Sequence, residues 1–411
     1  MTGQPVLVIP PPGFLSDPAL SAVLAALPEA RIAGGAVRDT LAQRPLADID
    51  LATPRLPADV VTALNQAGIR VVPTGIAHGT VTAVADGRGF EITTLRRDVR
   101  TDGRRAVVAF TDDWRADAAR RDFTMNALTM TRDGEVFDYF GGIEDLRRGV
   151  VRFVGTPETR IAEDYLRVLR FFRFHARYGS GSPDAAAMAA IRAAVPHLGR
   201  LSAERVWSEL SRILGAPDPR QAISLMAASG VLAAIIPDGT DPVSLDRVIA
   251  DGMPADPILR LCALLTGNAA SVAERLRLSG EERDRLAALR QAPSARPDMD
   301  DASLRRLMAD TDPMILRDRT WLDGNDQPEW AVLRTRLAEL RRPVFPLEGR
   351  DVLALGVAPG PEVGALLRAV RAWWVAGGCC ADAAACREEL AQRLPVMAGS
   401  CANSQAGDKG Q

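Results

Sequence analysis

Two glycines, an arginine and two aspartates carry the chemistry that can be read first from this chain. Gly34, Gly35, Arg38, Asp48 and Asp50 all fall within residues 31–53, RIAGGAVRDTLAQRPLADIDLAT. A short run from Ala30 to Ala33 ends at the glycine pair, where the backbone can bend sharply and approach a ligand with no Cβ in the way. A helix starting near Ala36 turns its unpaired N–H groups and positive dipole end toward whatever lies over the glycines. Arg38 adds a planar fork of donors matched to phosphate oxygens. After the Arg44-Pro45 turn, residues 48–52 predict a strand, so Asp48 and Asp50 share one face while Ile49 and Leu51 point into the core. Two carboxylates so placed repel unless a cation lies between them. Hard oxygen ligands beside a phosphate site suit Mg²⁺, which takes one or two carboxylates and completes its shell with water and substrate phosphates. The stretch therefore predicts a nucleoside triphosphate on Gly34, Gly35 and Arg38, with Asp48 and Asp50 as Mg²⁺ ligands.

Other segments supply groups that must reach the same place. Phe90-Glu91-Ile92 reads as a strand with Glu91 on its polar face. Glu91 is then either a third carboxylate that activates an attacking hydroxyl or supports the metal shell, or an ordinary solvent-facing residue. In RRDFTMNAL, residues 120–128, two guanidiniums lead a run whose Phe123, Met125, Ala127 and Leu128 can pack inward, leaving Asp122 to hold Arg121 in place. The segment RDVRTDGRR, residues 97–105, is polar, contains Gly103 and predicts a mobile loop.

Residues 160–178 predict one helix that is apolar on most sides, so its ionic residues belong in a cleft rather than on open surface. Asp164, Arg167, Arg170 and Arg173 recur every three residues and form one slowly drifting stripe. Cytosine and adenine both offer an exocyclic amino donor beside a ring-nitrogen acceptor, whereas uracil and guanine offer an acceptor beside a ring N–H. Asp164 accepting and Arg167 donating would select C and A together and penalise U and G through unpaired groups. Arg170 and Arg173 would serve the triphosphate or the geometry of the stripe. Ion pairs within the helix are the competing reading of the same spacing.

In order along the chain, GGAVRD, DIDLAT, HGTVTAV, FEITTLR, RDVRTDGRR, RRDFTMNAL, EDYLRVLRFFRF and LSAERVWSEL span about residues 30–215, with a weaker echo at FPLEGRDVLALG, residues 345–356. This series resembles the class II CCA-adding tRNA nucleotidyltransferases and bacterial poly(A) polymerases, within the superfamily of DNA polymerase β. The resemblance implies an α+β chain: a nucleotidyltransferase head with a mixed sheet, followed by an all-helical neck, body and tail. It implies a loop at residues 97–105 that reshapes the pocket between C and A addition, Arg121 on the nucleotide, and Asn126 on the ribose or local backbone. It assigns base reading to Asp164 and Arg167. The expected activity is template-independent addition of CCA to the 3′ end of tRNA from CTP and ATP, with pyrophosphate released. A poly(A) polymerase, a relative adding only CC or only A, and a catalytically idle RNA-binding relative are the alternatives.

Composition is compatible with this. The chain has 411 residues, 50 Lys+Arg against 52 Asp+Glu, and a formal net charge of −2, so any RNA contact depends on local patches. The expected division is a head over residues 1–156, neck 157–215, body 216–300, tail 301–397 and a disordered end at 398–411. Breaks near residues 179–183, 215–219, 237–242 and 292–301 are rich in Gly or Pro. Arg341, Arg342, Arg350, Arg368 and Arg371, near Trp373 and Trp374, are candidates to hold the tRNA elbow. No apolar run reaches the length of a membrane span, and five cysteines fit neither a paired disulfide scaffold nor a zinc spacing, so a cytoplasmic location is expected. His78, His175 and His197 are the only histidines and none precedes Asp, so no His-Asp metal module is expected.

Overall fold

A computed structural model describes residues 3–46, 48–102 and 105–402. The strands are β1 (Leu7–Val8), β2 (Arg31–Ala33), β3 (Asp50–Thr53), β4 (Arg70–Gly75), β5 (Thr80–Ala85), β6 (Arg88–Thr94), β7 (Arg96–Asp102), β8 (Arg105–Phe110), β9 (Thr129–Met130) and β10 (Glu135–Phe137). One sheet runs β1-β10-β9-β2-β3-β6-β5-β4, and β7 pairs with β8 apart from it. Every pairing is antiparallel except β3 with β6, which makes the sheet mixed. Helices α1 (Pro18–Ala26), α2 (Gly35–Leu41) and α3 (Pro57–Gln66) belong to this part of the chain. Leu20, Val23, Ile32, Val37, Leu51, Leu64, Val81 and Ile92 are fully buried in its core. Ile49 packs against that core from the side, as expected for residues flanking the two aspartates.

After α4 (Trp114–Ala119) and α5 (Gly142–Arg147) the chain turns helical, through α6 (Pro157–Glu163), α7 (Leu166–Tyr178), α8 (Ala185–Ala194), α9 (Ala203–Leu214), α10 (Arg220–Ala228) and α11 (Val231–Ile235). The rest is α12 (Pro242–Ala250), α13 (Pro257–Leu264), α14 (Ala269–Arg275), α15 (Gly280–Gln291), α16 (Asp301–Asp310), α17 (Pro313–Asp323), α18 (Pro328–Glu339), α19 (Gly349–Leu353), α20 (Pro361–Ala376) and α21 (Ala383–Ala402). The four expected breaks all fall between helices. Contacts divide the chain into two units. The first is Met1–Pro242 with Ala255–Pro257 and Thr266–Arg277; the second is Val243–Pro254, Ile258–Leu265 and Leu278–Gln411.

Four local expectations are corrected. The strand starts at Asp50, leaving Asp48 in the connection before it. The helix expected over residues 160–178 is two helices, because Asp164 is extended (φ −156°, ψ 107°) and its carboxylate accepts from Leu166 N at 3.1 Å, starting a new helix. Residues 97–102 lie in strand β7 and Arg105 opens β8 of a β-ribbon, with residues 103 and 104 outside the described residues. Part of the end expected to be disordered is helical: α21 continues to Ala402, and residues 403–411 lie outside the described residues. In the second unit Trp374 is core rather than a stacking surface, edge-on to Phe345 at 5.5 Å and donating to Ala381 O.

One aromatic cluster joins the 120s segment to α7. The Phe123 ring lies 4.9 Å from Phe153 and 5.1 Å from Phe174, and no part of Phe123 is exposed. Phe123→Ala should lower the unfolding free energy by about 3–5 kcal/mol, read as a fall in the urea midpoint, because the cavity left among fixed aromatic neighbours cannot collapse.

Candidate active site

The glycine turn is set by backbone geometry. Gly34 has φ 63° and ψ −111°, its N–H donates to Leu128 O at 2.9 Å, and a Cβ there would stand 2.8 Å from Arg121 Nη1. The positive φ and the passing guanidinium both require glycine. Arg121 in turn donates to Asn126 O at 3.2 Å and to Asp117 Oδ2 at 3.3 Å. Asp117 also accepts from Arg120 Nε at 2.8 Å, so it, and not Asp122, holds the arginine pair. Arg121 Nε is buried with no hydrogen-bond partner among the described residues.

Arg38 is 9% exposed and anchored on three sides. Nε and Nη2 donate to the two Asp39 oxygens at 3.0 Å each, and Nη1 donates to Asn126 Oδ1 at 2.6 Å. Its guanidinium lies 4.5 Å from the Tyr178 ring centroid, and the Tyr178 hydroxyl donates to Asp39 Oδ1 at 2.5 Å. Asn126 Nδ2 donates to Asp122 Oδ1 at 2.9 Å, and Arg170 Nε donates to Asp122 Oδ2 at 2.7 Å. Burial alone would raise the Asp122 pKa, but Arg170, Asn126 and the Phe123 N–H bring its carboxyl below the ordinary aspartate value.

On the other side stand the carboxylates. Asp50 and Glu91 are paired in register on the parallel strands β3 and β6, and both are exposed. Phe90 and Ile92 on either side of Glu91 are buried, so Glu91 sits on the polar face expected of it. Asp48, though outside the strand, lines the same cavity of about 850 Å³ as Asp50 and Glu91. Desolvation, then the negative charges of Glu91 and Asp48, raise the Asp50 pKa, opposed by Arg121. Among the described residues no three His, Cys, Asp or Glu stand close enough to cage a metal ion. A crowded carboxylate pair open on one side is the donor set for a hard cation that takes the rest of its shell from phosphates and water.

The helical side brings the remaining residues into play, with different partners from those expected. Asp164 Oδ2 receives Arg205 Nη2 at 2.6 Å, and Arg167 Nη1 donates to Glu163 Oε2 at 2.5 Å and to Arg160 O at 2.9 Å. Arg170 lies between Asp122 and Glu209, and Arg173 Nε is 2.7 Å from Glu209 Oε2. Arg173 is not among the residues lining the cavity, so its place is in the packing of α7 on α9.

Gly34, Gly35, Arg38, Asp50, Arg121, Asn126, Asp164, Arg167 and Arg170 all line one cavity of about 450 Å³. Six guanidiniums and three carboxylates border it, which suits a polyanion. Asp50 also borders the larger acidic cavity, so the two spaces meet at that residue. The residues that reading single segments missed are the holders: Asp39, Asp117, Glu163, Tyr178, Arg205 and Glu209. Glu163 four residues before Arg167, and Asp117 four before Arg121, are visible as i,i+4 spacings. Asp39 and Tyr178 are 139 positions apart and carry no such signal.

Residues 30–152 match the family described as "Poly A polymerase head domain", and residues 182–241 match "Probable RNA and SrmB- binding site of polymerase A". The human protein named "CCA tRNA nucleotidyltransferase 1, mitochondrial" is 36% identical over 369 residues, covering 85% of this chain and 83% of that one. A "CCA-adding enzyme" of Streptococcus gordonii is 38% identical over 223 residues, 54% of each chain. The crystal structure of the Bacillus stearothermophilus CCA-adding enzyme in complex with CTP superposes with a TM-score of 0.73 at 28% identity, over 94% of this chain and all of that one. With that identity sustained over most of both chains, this protein belongs to the CCA tRNA nucleotidyltransferase family.

Proposed function

We propose that this chain adds C, C and A to the 3′ end of tRNA from CTP and ATP, releasing pyrophosphate, with base choice made by protein side chains. The observation that carries the reading is the meeting at Asp50 of a basic cavity fitted to a triphosphate and an acidic one open to an incoming hydroxyl. Arg38 and Arg121 bind the phosphates: the first is already fixed by Asp39 and Asn126, and the second is held beside the glycine turn by Asp117 and the Asn126 carbonyl. Gly34 and Gly35 let the backbone come close. Asn126, bonded to both Arg38 and Asp122, borders the ribose.

Asp48 and Asp50 would hold Mg²⁺, with Glu91 supporting them from the next strand. When bound, the metal supplies a lower pKa at the tRNA 3′-hydroxyl and neutralises charge on the departing pyrophosphate. The protein's own contribution is to hold the nucleotide's phosphates against the carboxylate edge and to exclude misaligned hydroxyls. Asp164 and Arg167 read the Watson–Crick edge of C or A. To do so they exchange bonds with Arg205 and Glu163 for bonds to the base, and U or G cannot complete that exchange. Arg170 keeps Asp122 and hence Asn126 in place.

We assign residues 1–156 to the head, 157–215 to the neck, 216–300 to the body and 301–397 to a tRNA-binding tail. No helix of the described residues is long and apolar enough to cross a membrane. The described cysteines Cys262, Cys379, Cys380 and Cys386 are free thiols, which supports a reducing compartment such as the cytoplasm, while the human relative's name places that protein in the mitochondrion.

Incubation with tRNA transcripts lacking the terminal CCA, given Mg²⁺ with CTP, ATP or both, should yield extension by three nucleotides and then arrest. A long tail with ATP alone, or only C or only A added, would assign a different family activity. Asp50→Ala should abolish incorporation of both nucleotides while changing tRNA affinity less than about twofold, since one exposed carboxylate adds little to RNA binding; loss of tRNA binding in a gel-shift assay would contradict the metal role. Arg167→Ala should raise misincorporation of UMP relative to CMP by about tenfold or more, the worth of one lost discriminating hydrogen bond, with a smaller fall in kcat for CTP.

A further inference from the structure

In the first unit, bordered by Leu41 of α2 and sharing no lining residue with the nucleotide cavity, lies a separate cavity of about 550 Å³. Its wall is apolar where Ile9, Leu41, Ile143 and Leu146 line it, and two arginines, Arg44 and Arg147, border it. No carboxylate lines it. Among the described residues neither arginine forms an ion pair; Arg44 instead lies 4.8 Å from the centroid of the Tyr178 ring. In a chain where arginines so often pair with Asp or Glu, two unneutralised guanidiniums at the mouth of an apolar cavity form a site of definite chemistry. The volume lies within the range of small-molecule sites, and an apolar wall with convergent cationic donors favours an organic anion.

Tyr178 lines this cavity and touches the other through its partners: its ring lies 4.5 Å from the guanidinium of Arg38, and its hydroxyl bonds Asp39, which holds Arg38 in the nucleotide cavity. We propose that this cavity is a second ligand site for a small organic anion, an apolar body carrying a carboxylate, sulfonate or phosphate, whose occupancy is linked to nucleotide binding through Tyr178 and Asp39. An anion drawing Arg44 off the Tyr178 ring changes the setting of the tyrosine, and through Asp39 the hold on Arg38. Linkage is reciprocal, so bound nucleotide changes the affinity of the anion by the same factor.

The test uses the full-length protein and 1-anilinonaphthalene-8-sulfonate, an aromatic sulfonate that fluoresces in apolar surroundings. One equivalent should bind. Affinity should fall about tenfold in Arg147→Glu, whose side chain is at the surface and whose melting temperature should stay unchanged, and similarly in Ala42→Phe, which fills the cavity. Inorganic sulfate at equal concentration should not displace the probe, because it has no apolar body. Saturating CTP should shift the probe's dissociation constant by about two- to fivefold while one equivalent still binds. No binding, binding unaltered in both variants, full displacement by CTP, equal competition by sulfate, or no shift with CTP would each overturn the proposal. The binding readout does not require tRNA extension, so failure of the CCA-adding reading and failure of this one are separable.

Discussion

Burying charge is costly unless every charge is paired, and that constraint organises the centre of this protein. From Tyr178 through Asp39, Arg38, Asn126, Asp122, Arg170 and Glu209 to Arg173, hydrogen bonds and ion pairs run without a gap, and Arg38, Asp39, Asp122, Asn126 and Glu209 are all under 10% exposed. The series crosses from α2 to the 120s segment, to α7 and to α9. Removing one member would strand its partner in low dielectric, at a cost of roughly 3–5 kcal/mol for a buried pair. Such a network is therefore rigid, and rigidity is what a protein reading a base without a nucleic-acid template requires. The aromatic cluster of Phe123, Phe153, Phe171 and Phe174 lies directly beneath and fixes the same elements by packing.

Against this fixed basic wall the carboxylate edge is open. Asp48, Asp50 and Glu91 are exposed at the residue level, and the Asp50 pKa is raised first by desolvation of its carboxylate and then by the charges of Glu91 and Asp48. The contrast divides the labour of the site. Phosphates meet donors already in position, so little reorganisation accompanies their binding. If the acidic side holds a cation as proposed, two exposed carboxylates leave most of its shell to phosphates and water, which would tie metal binding to substrate binding.

The sequence made the strands and residues of the reacting edge legible because they follow local rules. Alternation puts Glu91 between Phe90 and Ile92, and a positive-φ turn needs Gly34. The strand start, the break at Asp164 and the ribbon at residues 96–110 are not legible, because each depends on a bond or pairing that the linear pattern does not encode. Asp164 looks like a mid-helix residue until its carboxylate caps the following turn. The regular three-residue spacing of Asp164, Arg167, Arg170 and Arg173 suggests one stripe, yet the four side chains have three different kinds of partner. Spacing placed them near one another; only tertiary contacts sorted them.

In the proposed reading, the pairs Asp164–Arg205 and Arg167–Glu163 would give base selection its energetic form. Both pairs are partly exposed, with side-chain accessibilities of 15–28%, so each is worth little on its own and is replaceable. C or A offers Asp164 a donor and Arg167 an acceptor, and the exchange is close to neutral. U or G asks the same two groups to give up their partners and receive an oxygen facing a carboxylate and a proton facing a guanidinium. Discrimination then comes less from attraction to the right base than from the unpaired charges left by the wrong one. Because Arg205 and Glu163 hold these two side chains in defined pairs, the proposed readers start from one fixed arrangement, and the same exchange would serve each successive addition.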